Sequence, residues 1–220
     1  MFIGHLAVGF AAKRVAPRAP VTVLVMAATW LDLVWPVFLL LGIERVRIAP
    51  GIIAASPLDF ESYPWSHSLL MTLVWAAVFA MVYRALTRDA RGAAWVGALV
   101  ASHWALDFLV HRPDLPLWPG GGPRVGLGLW ASIPATIAIE SVMMIAGIWL
   151  YLARNPARGW LGHVALASYL ALLLFAYVSG FAGPPPPSVG ALAWVGLVGG
   201  WISVPWMMWV DATHGARAPA

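Results

Sequence analysis

Apolar residues run along this chain in six long stretches, residues 21–42, 66–86, 92–111, 128–153, 160–183 and 189–210, with polar residues, proline and glycine between them. A transmembrane helix needs about 20 predominantly apolar residues, so each stretch predicts one span. Residues 1–12 are also apolar but too short to cross. They predict a helix at the interface or dipping partway in, carrying His5. Ala16-Pro17-Arg18-Ala19-Pro20 breaks the chain before the first span, and Pro36 predicts a kink within it. Residues 44–65 read as a polar, proline-containing connection, residues 113–123 as a loop rich in proline and glycine, and Pro184-Pro185-Pro186-Pro187 as a rigid turn. No internal repeat is evident.

Composition agrees with this pattern. The chain is 61% hydrophobic and 10% charged, with a mean hydropathy of +0.81, whereas soluble domains carry about 25% charged residues. The expectation is an all-α, polytopic transmembrane bundle of about six spans plus a short N-terminal helix. It forms one integral membrane domain, residues 1–220, with a metal-site half at 1–145 and additional spans at 160–211. Cysteine is absent, which excludes disulfides and thiolate ligands and leaves the redox compartment open. The first basic pair, Lys13-Arg14, follows the opening apolar segment, unlike the order in a cleavable signal peptide.

The net charge of +4 comes almost wholly from arginine at span ends. That is a topology signal, and nucleic acid is not an expected partner. Six spans put both termini on one side, with Lys13, Arg14, Arg18, Arg84, Arg88, Arg91, Arg154, Arg158 and Arg217. The other side has Arg45, Arg47, Arg112 and Arg124. The positive-inside rule then places the termini in the cytoplasm of a bacterial-type inner membrane. Asp59, Glu61, His67, His111 and Asp114 fall at the outer face, with Asp32, His103, Asp107 and Glu140 a few turns below. The lipid bilayer is the implied partner; oligomeric state is not legible.

Candidate chemistry centres on Ser102-His103-Trp104-Ala105-Leu106-Asp107, at the end of the third span. His103 and Asp107 are one turn apart, and His111 and Asp114 continue the same face within an arc of about 80°. An imidazole and a carboxylate so spaced offer a divalent cation two ligands. Asp32, His103, Asp107 and Glu140, left unpaired in a bilayer, would cost about 10 kcal/mol together. A metal bound by Asp32, His67, His103 and Asp107, with His5 nearby, offsets that cost; a proton or ion pathway and structural polar pairs are the alternatives. Glu140 reads as a ligand, an orienter of a histidine, or a partner for Arg112 or Arg124. His111 and Asp114 read as a second metal site or an exposed helix end. Most tryptophans fit interfacial belts, but Trp65 and Trp118 adjoin the outer polar cluster. Gly120-Gly121-Gly122 lacks the context of a phosphate-binding loop.

Gly4-His5-Leu6, Leu31-Asp32, Ser66-His67-Ser68-Leu69, Ser102-His103 through Leu106-Asp107, and Pro116-Leu117-Trp118-Pro119 occur in that order over about the first 120 residues. In this the chain resembles the inner-membrane-associated, LexA-binding hydrolase family, which is distantly similar to zinc-dependent phospholipase C and P1 nuclease. Val34 stands where family members often carry a second aspartate, and Ser62-Tyr63 where they often carry His-Arg. The resemblance implies a main site of Asp32, His67, His103 and Asp107, with His5 sharing Asp107 and His111 and Glu140 forming a weaker further site.

The expected function is therefore a membrane-embedded, metal-dependent hydrolase, most simply zinc-dependent, acting on phosphoesters that can be lipid-like. Asp32, Glu61 or Asp59 would take the water's proton. Arg112 and Arg124 would hold an anionic group, flanked by Trp65 and Trp118. The competing expectations are a transporter or ion-conducting protein with a buried ion site, and a scaffold with a structural metal.

Overall fold

The computed structural model describes residues 1–215, so Arg217 lies outside the described residues. The fold is an all-α helical bundle, with nine helices and two small hairpins among the described residues. The helices are α1 (Ile3–Ala12), α2 (Val21–Ala28), α3 (Trp30–Leu40), α4 (Pro64–His67), α5 (Leu69–Thr87), α6 (Ala90–Val110), α7 (Ile133–Leu152), α8 (Trp160–Ala182) and α9 (Val189–Thr213). Five of them, α5 to α9, are long and apolar enough to cross a membrane. Together α2 and α3 make a sixth if they count as one span, bent by 56°.

Local chemistry sets where these helices begin. Ser68, Asp89, Ser132 and Ser188 precede α5, α6, α7 and α9, and each accepts a hydrogen bond from a backbone N–H in the first turn. Such caps satisfy amides that have no intrahelical partner. Helix α2 has only Pro20 before it, and its cap comes from afar. Asp211 of α9 accepts from the amides of Val21 and Thr22, at 2.8 and 2.9 Å, and from the Thr22 hydroxyl.

Helix α1 is enclosed by the bundle, and seven of its ten residues besides His5 are buried. Two expectations from the sequence need correction. The bend in the first span is not at Pro36, which sits inside α3. It falls at Thr29, whose φ of −106° and ψ of 8° depart from the helix. The connection at 44–65 is a hairpin, with β1 (Arg45–Ile53) antiparallel to β2 (Ser56–Ser62) and Arg47 opposite Asp59. A shorter one pairs β3 (Leu115–Pro116) with β4 (Arg124–Val125). Residues Leu39 of α3, Val46 of β1 and Ala193 of α9 pack together beneath the larger hairpin, with Trp35, Leu58 and Phe60 against them.

Small residues let α1 approach its neighbours, the usual means of helix packing where lipid removes the hydrophobic driving force. A Cβ at Gly9 would lie 2.8 Å from the Val25 Cα, and one at Gly147 would run into the Ala7 carbonyl. Phe10 fills the space beside this contact, edge-on to Tyr151 at 5.4 Å. Helix α1 is thereby held between α2 and α7, with α6 alongside. Replacing Gly147 with alanine should lower stability by about 1–3 kcal/mol, because backbone must move to admit the methyl. Gly199→Ala in α9, where nothing lies within 4 Å of the added carbon, should be neutral or slightly stabilising. Thermal unfolding of both variants in detergent tests the contrast.

Candidate metal centre

Helix α6 carries His103 and Asp107 on its inward face, both buried, with Nε2 of His103 3.2 Å from Oδ2 of Asp107. Three other elements meet this pair. From α1, His5 places Nε2 3.0 Å from Oδ1 of Asp107 and stacks its ring on His103, centroids 3.6 Å apart. The Met1 amino group donates to the same Oδ1 at 2.6 Å. From the first turn of α3, Asp32 brings Oδ1 to 3.7 Å from Nε2 of His103. From the end of α4, His67 lies 3.5 Å from Asp32 Oδ1 and 3.8 Å from Asp107 Oδ2.

These residues form two overlapping triads, His5–His103–Asp107 and Asp32–His67–His103, each with ligand atoms within 4.8 Å of one another. Such a group can hold a metal ion. The hydrogen bonds behind His103, which the two triads share, and behind His67 make the case stronger. Nδ1 of His103 is 2.8 Å from the Ala28 carbonyl, which can only accept, so the ring proton is assigned to Nδ1. Nε2 then holds a lone pair in the neutral ring, and this buried atom makes no hydrogen bond.

His67 repeats the pattern. Its Nδ1 is 2.7 Å from Oγ of Ser66, whose hydroxyl donates to Oε2 of Glu44 at 2.6 Å. With the hydroxyl proton committed to Glu44, Oγ accepts from Nδ1–H, and Nε2 again holds the lone pair. Two imidazole lone pairs therefore face two carboxylates. Acceptors converging in a buried space need either protonation of the rings or a cation among them. Metal-binding histidines commonly donate their other N–H to a carbonyl or carboxylate; His103 does so directly to Ala28, and His67 reaches the Glu44 carboxylate through the Ser66 hydroxyl.

The Ala28 carbonyl is free for this because α2 ends there. The last carbonyls of a helix lack intrahelical donors, and the break at Thr29 delivers one to His103. The same break places Asp32 at the start of α3, where the helix dipole favours a negative charge. The step between α4 and α5 at Ser68 likewise lets His67 turn inward. Access is one-sided: the Asp32 side chain is 43% exposed, while those of His67, His103 and Asp107 are at most 6% exposed.

The structure brings together five of the sequence-predicted site residues: His5, Asp32, His67, His103 and Asp107. Glu140 instead accepts from the amides of Phe2 and Gly4, both at 3.0 Å, and so caps α1. His111 follows α6 and lies in a neighbouring network. Its Nδ1 is 2.9 Å from Oδ1 of Asp114, and the Tyr63 hydroxyl donates to the same oxygen at 3.2 Å. Arg112 donates to Asp114 at 3.0 Å and to Asp59. Arg47 bonds Asp59 and lies 3.3 Å from Glu61. The Asp59–Arg112 pair thus ties the hairpin to the end of α6, while Glu61 pairs within the hairpin. Arg124 donates to the carbonyls of Phe60 and Glu61, and with Trp118 it lines a cavity of about 240 Å³. Trp65 is 46% exposed, and its amide donates to Glu44.

Glu44 and Ser66 escaped the sequence reading as functional residues. Glu44 sits among residues that look like loop, and nothing local marks it as buried. In the structure it is 2% exposed, and burial pushes its carboxyl above the usual range, against the hydrogen bonds from Ser66. Asp114 behaves in the opposite way. Burial raises it, but the His111 hydrogen bond and the Arg112 guanidinium outweigh that and hold it below the usual value.

Comparison with family models, with curated proteins and with solved structures finds no match to this chain.

A carboxyl depressed in the folded state contributes stability that is present above its unfolded pKa and is lost as pH falls through the folded one. Asp114 should therefore stabilise the hairpin end at neutral pH and begin to lose that contribution as pH falls towards about 4 and below. Asp114→Asn should lower the melting temperature at pH 7 and flatten its decline between pH 5 and pH 3, a window of about two units. Melting curves across that range, wild type against variant, give the comparison.

Proposed function

We propose that this protein is a membrane-embedded, metal-dependent hydrolase acting on phosphoesters at the site bounded by Asp32, His67, His103 and Asp107. The observation that carries the reading is the convergence of unpartnered acceptors on a space with one exposed wall. Nε2 of His103 is buried without a hydrogen bond, and Asp32 is the half-exposed side. A structural metal is normally enclosed by four protein ligands, whereas a catalytic one keeps a position open to water or substrate. Exposure at Asp32 supports the catalytic arrangement.

Two histidines with carboxylate partners are a nitrogen and oxygen donor set that suits Zn²⁺. A cation of this kind supplies Lewis acidity, lowering the pKa of a water towards about 7 and polarising a phosphoryl oxygen. The protein's own groups have separable roles. His103 and His67 offer lone pairs fixed by Ala28 and Ser66. Asp107 is occupied by His5 and the Met1 amine on one oxygen, leaving the other for the shared space. Asp32, reachable from outside, is the group best placed to accept a proton from water. Asp59 and Glu61 are less suited to that task, since arginines engage both.

Arg124 meets backbone carbonyls rather than a carboxylate, so its charge is available to an anion in the adjoining cavity. The cluster lies towards the end of the bundle that carries the hairpins, away from Arg84, Arg88, Arg91, Arg154 and Arg158. The positive-inside rule puts that basic end in the cytoplasm and the site at the outer side. A site just below the outer interface is compatible with a lipid-like phosphoester.

A second reading draws on the broken α2–α3 pair. Discontinuous helices with free ends near an ion site are a feature of transporters, and here a carbonyl and a carboxylate flank the break at Thr29. Metal analysis of purified protein should find close to one transition-metal ion or more per chain, falling at least about tenfold in His103→Ala and Asp107→Ala. Phosphoester hydrolysis by wild type alone completes the expectation. Metal-free wild type, or undiminished hydrolysis by His103→Ala, sinks the hydrolase. Asp32-dependent flux of metal or protons into proteoliposomes, with no hydrolysis, selects the transporter instead.

A further inference from the structure

Resting on the reading of His67 as a metal ligand, we propose that Glu44 is a positioning residue that fixes which nitrogen of His67 carries the proton, through Ser66. The chain of contacts is short and buried. Glu44, Ser66 and His67 are each at most 5% exposed. Oε1 of Glu44 accepts from the amides of Trp65 and Ser66, both at 2.8 Å, and Oε2 accepts from the Ser66 hydroxyl at 2.6 Å. The hydroxyl oxygen in turn meets Nδ1 of His67 at 2.7 Å.

With Glu44 ionised, only one direction of proton donation satisfies this chain. The two amides can only donate, so Oε1 accepts. A serine hydroxyl has one proton, and the short bond to a carboxylate oxygen takes it in preference to the Tyr63 carbonyl at 3.4 Å. Oγ is left as an acceptor, so Nδ1 of His67 must be the donor and Nε2 must be bare. Nε2 is the atom turned towards Asp32 and Asp107. A carboxylate on the hairpin side of the bundle therefore prepares a ligand lone pair two residues away in space, without touching the site.

Replacing Glu44 with glutamine reverses the polarity while keeping the shape. The glutamine oxygen can retain both amide bonds, which leaves its NH₂ facing Ser66. Ser66 would then accept from glutamine and donate to Nδ1 of His67, moving the ring proton to Nε2 and removing the lone pair.

The test uses the full chain in detergent micelles. Zn²⁺ affinity is measured by chelator competition, and ¹⁵N spectra of labelled histidine report the His67 tautomer, assigned by its loss in His67→Gln. Glu44→Gln should bind Zn²⁺ about 10–100-fold more weakly, with His67 shifting from the Nδ1–H to the Nε2–H form in the metal-free protein. Unchanged affinity and tautomer overturn the proposal, as does weaker binding with the tautomer unmoved, which would mark Glu44 as a helix cap only. If Glu44→Gln does not fold, Ser66→Ala is read in its place. It should weaken Zn²⁺ about tenfold and leave His67 without a single preferred tautomer, and no change in either overturns the proposal. Wild type that binds no Zn²⁺ defeats the hydrolase reading, and the tautomer spectra alone then decide the role of Glu44.

Discussion

A carboxylate enclosed as Asp107 is, within a bundle of apolar helices, must be met by groups of opposite polarity or give up its charge. Much of the local architecture follows from that requirement. Helix α1 is too short to cross a membrane, yet it is packed into the bundle, where it delivers His5 and the Met1 amine to one oxygen of Asp107. Glu140 of α7 caps the α1 amides, and the glycines at 9 and 147 let the helix sit deep enough to reach. The small residues on α1 and α7 are therefore part of the site's construction as well as of the packing.

The other oxygen of Asp107 faces the space shared with His67, His103 and Asp32, and two helix breaks create that space. At Thr29 the chain stops being helical for one residue, which frees the Ala28 carbonyl and starts α3 with Asp32 in its first turn. At Ser68 it stops again, between α4 and α5, which turns His67 inward. Unpaired backbone in a bilayer is expensive unless protein satisfies it. Here His103 satisfies the first break, while Ser68 caps the second through its side chain. Irregular backbone and polar side chains are placed together because each supplies what the other lacks.

This explains which parts were legible in the sequence. The spans were, because length and hydropathy alone determine them. The His103–Asp107 pair was, because one helical turn is a fixed spacing and charges in an apolar run stand out. Asp32, His67 and His5 could be suspected for the same reason, though their convergence depends on tertiary packing. Thr29 was not legible, since threonine in an apolar run is ordinary and Pro36 was the more obvious breaker. The larger hairpin was also missed. Its residues Arg45–Ser62 mix charged, apolar and proline positions without strict alternation, and its register shifts twice. Glu44, Glu140 and Asp211 share a different difficulty. Each acts on backbone amides far away in sequence, and such a partner leaves no trace in local spacing.

The distinction between an ion-pair network and a metal site turns on protons rather than on distances. Protonated rings could also sit beside Asp32 and Asp107 at 3.2–3.8 Å, and an imidazolium on either histidine would be stabilised there. A charged His103 would nevertheless carry a proton on Nε2 with no acceptor in hydrogen-bonding geometry, despite a carboxylate oxygen 3.2 Å away. A buried donor so misaimed loses much of what the carboxylate offers. A lone pair in the same place loses nothing if a cation occupies the space between the rings and the carboxylates. The direction of His103, fixed from behind by a carbonyl that the broken helix releases, thus turns its Nε2 into a space where these side chains could hold a metal ion.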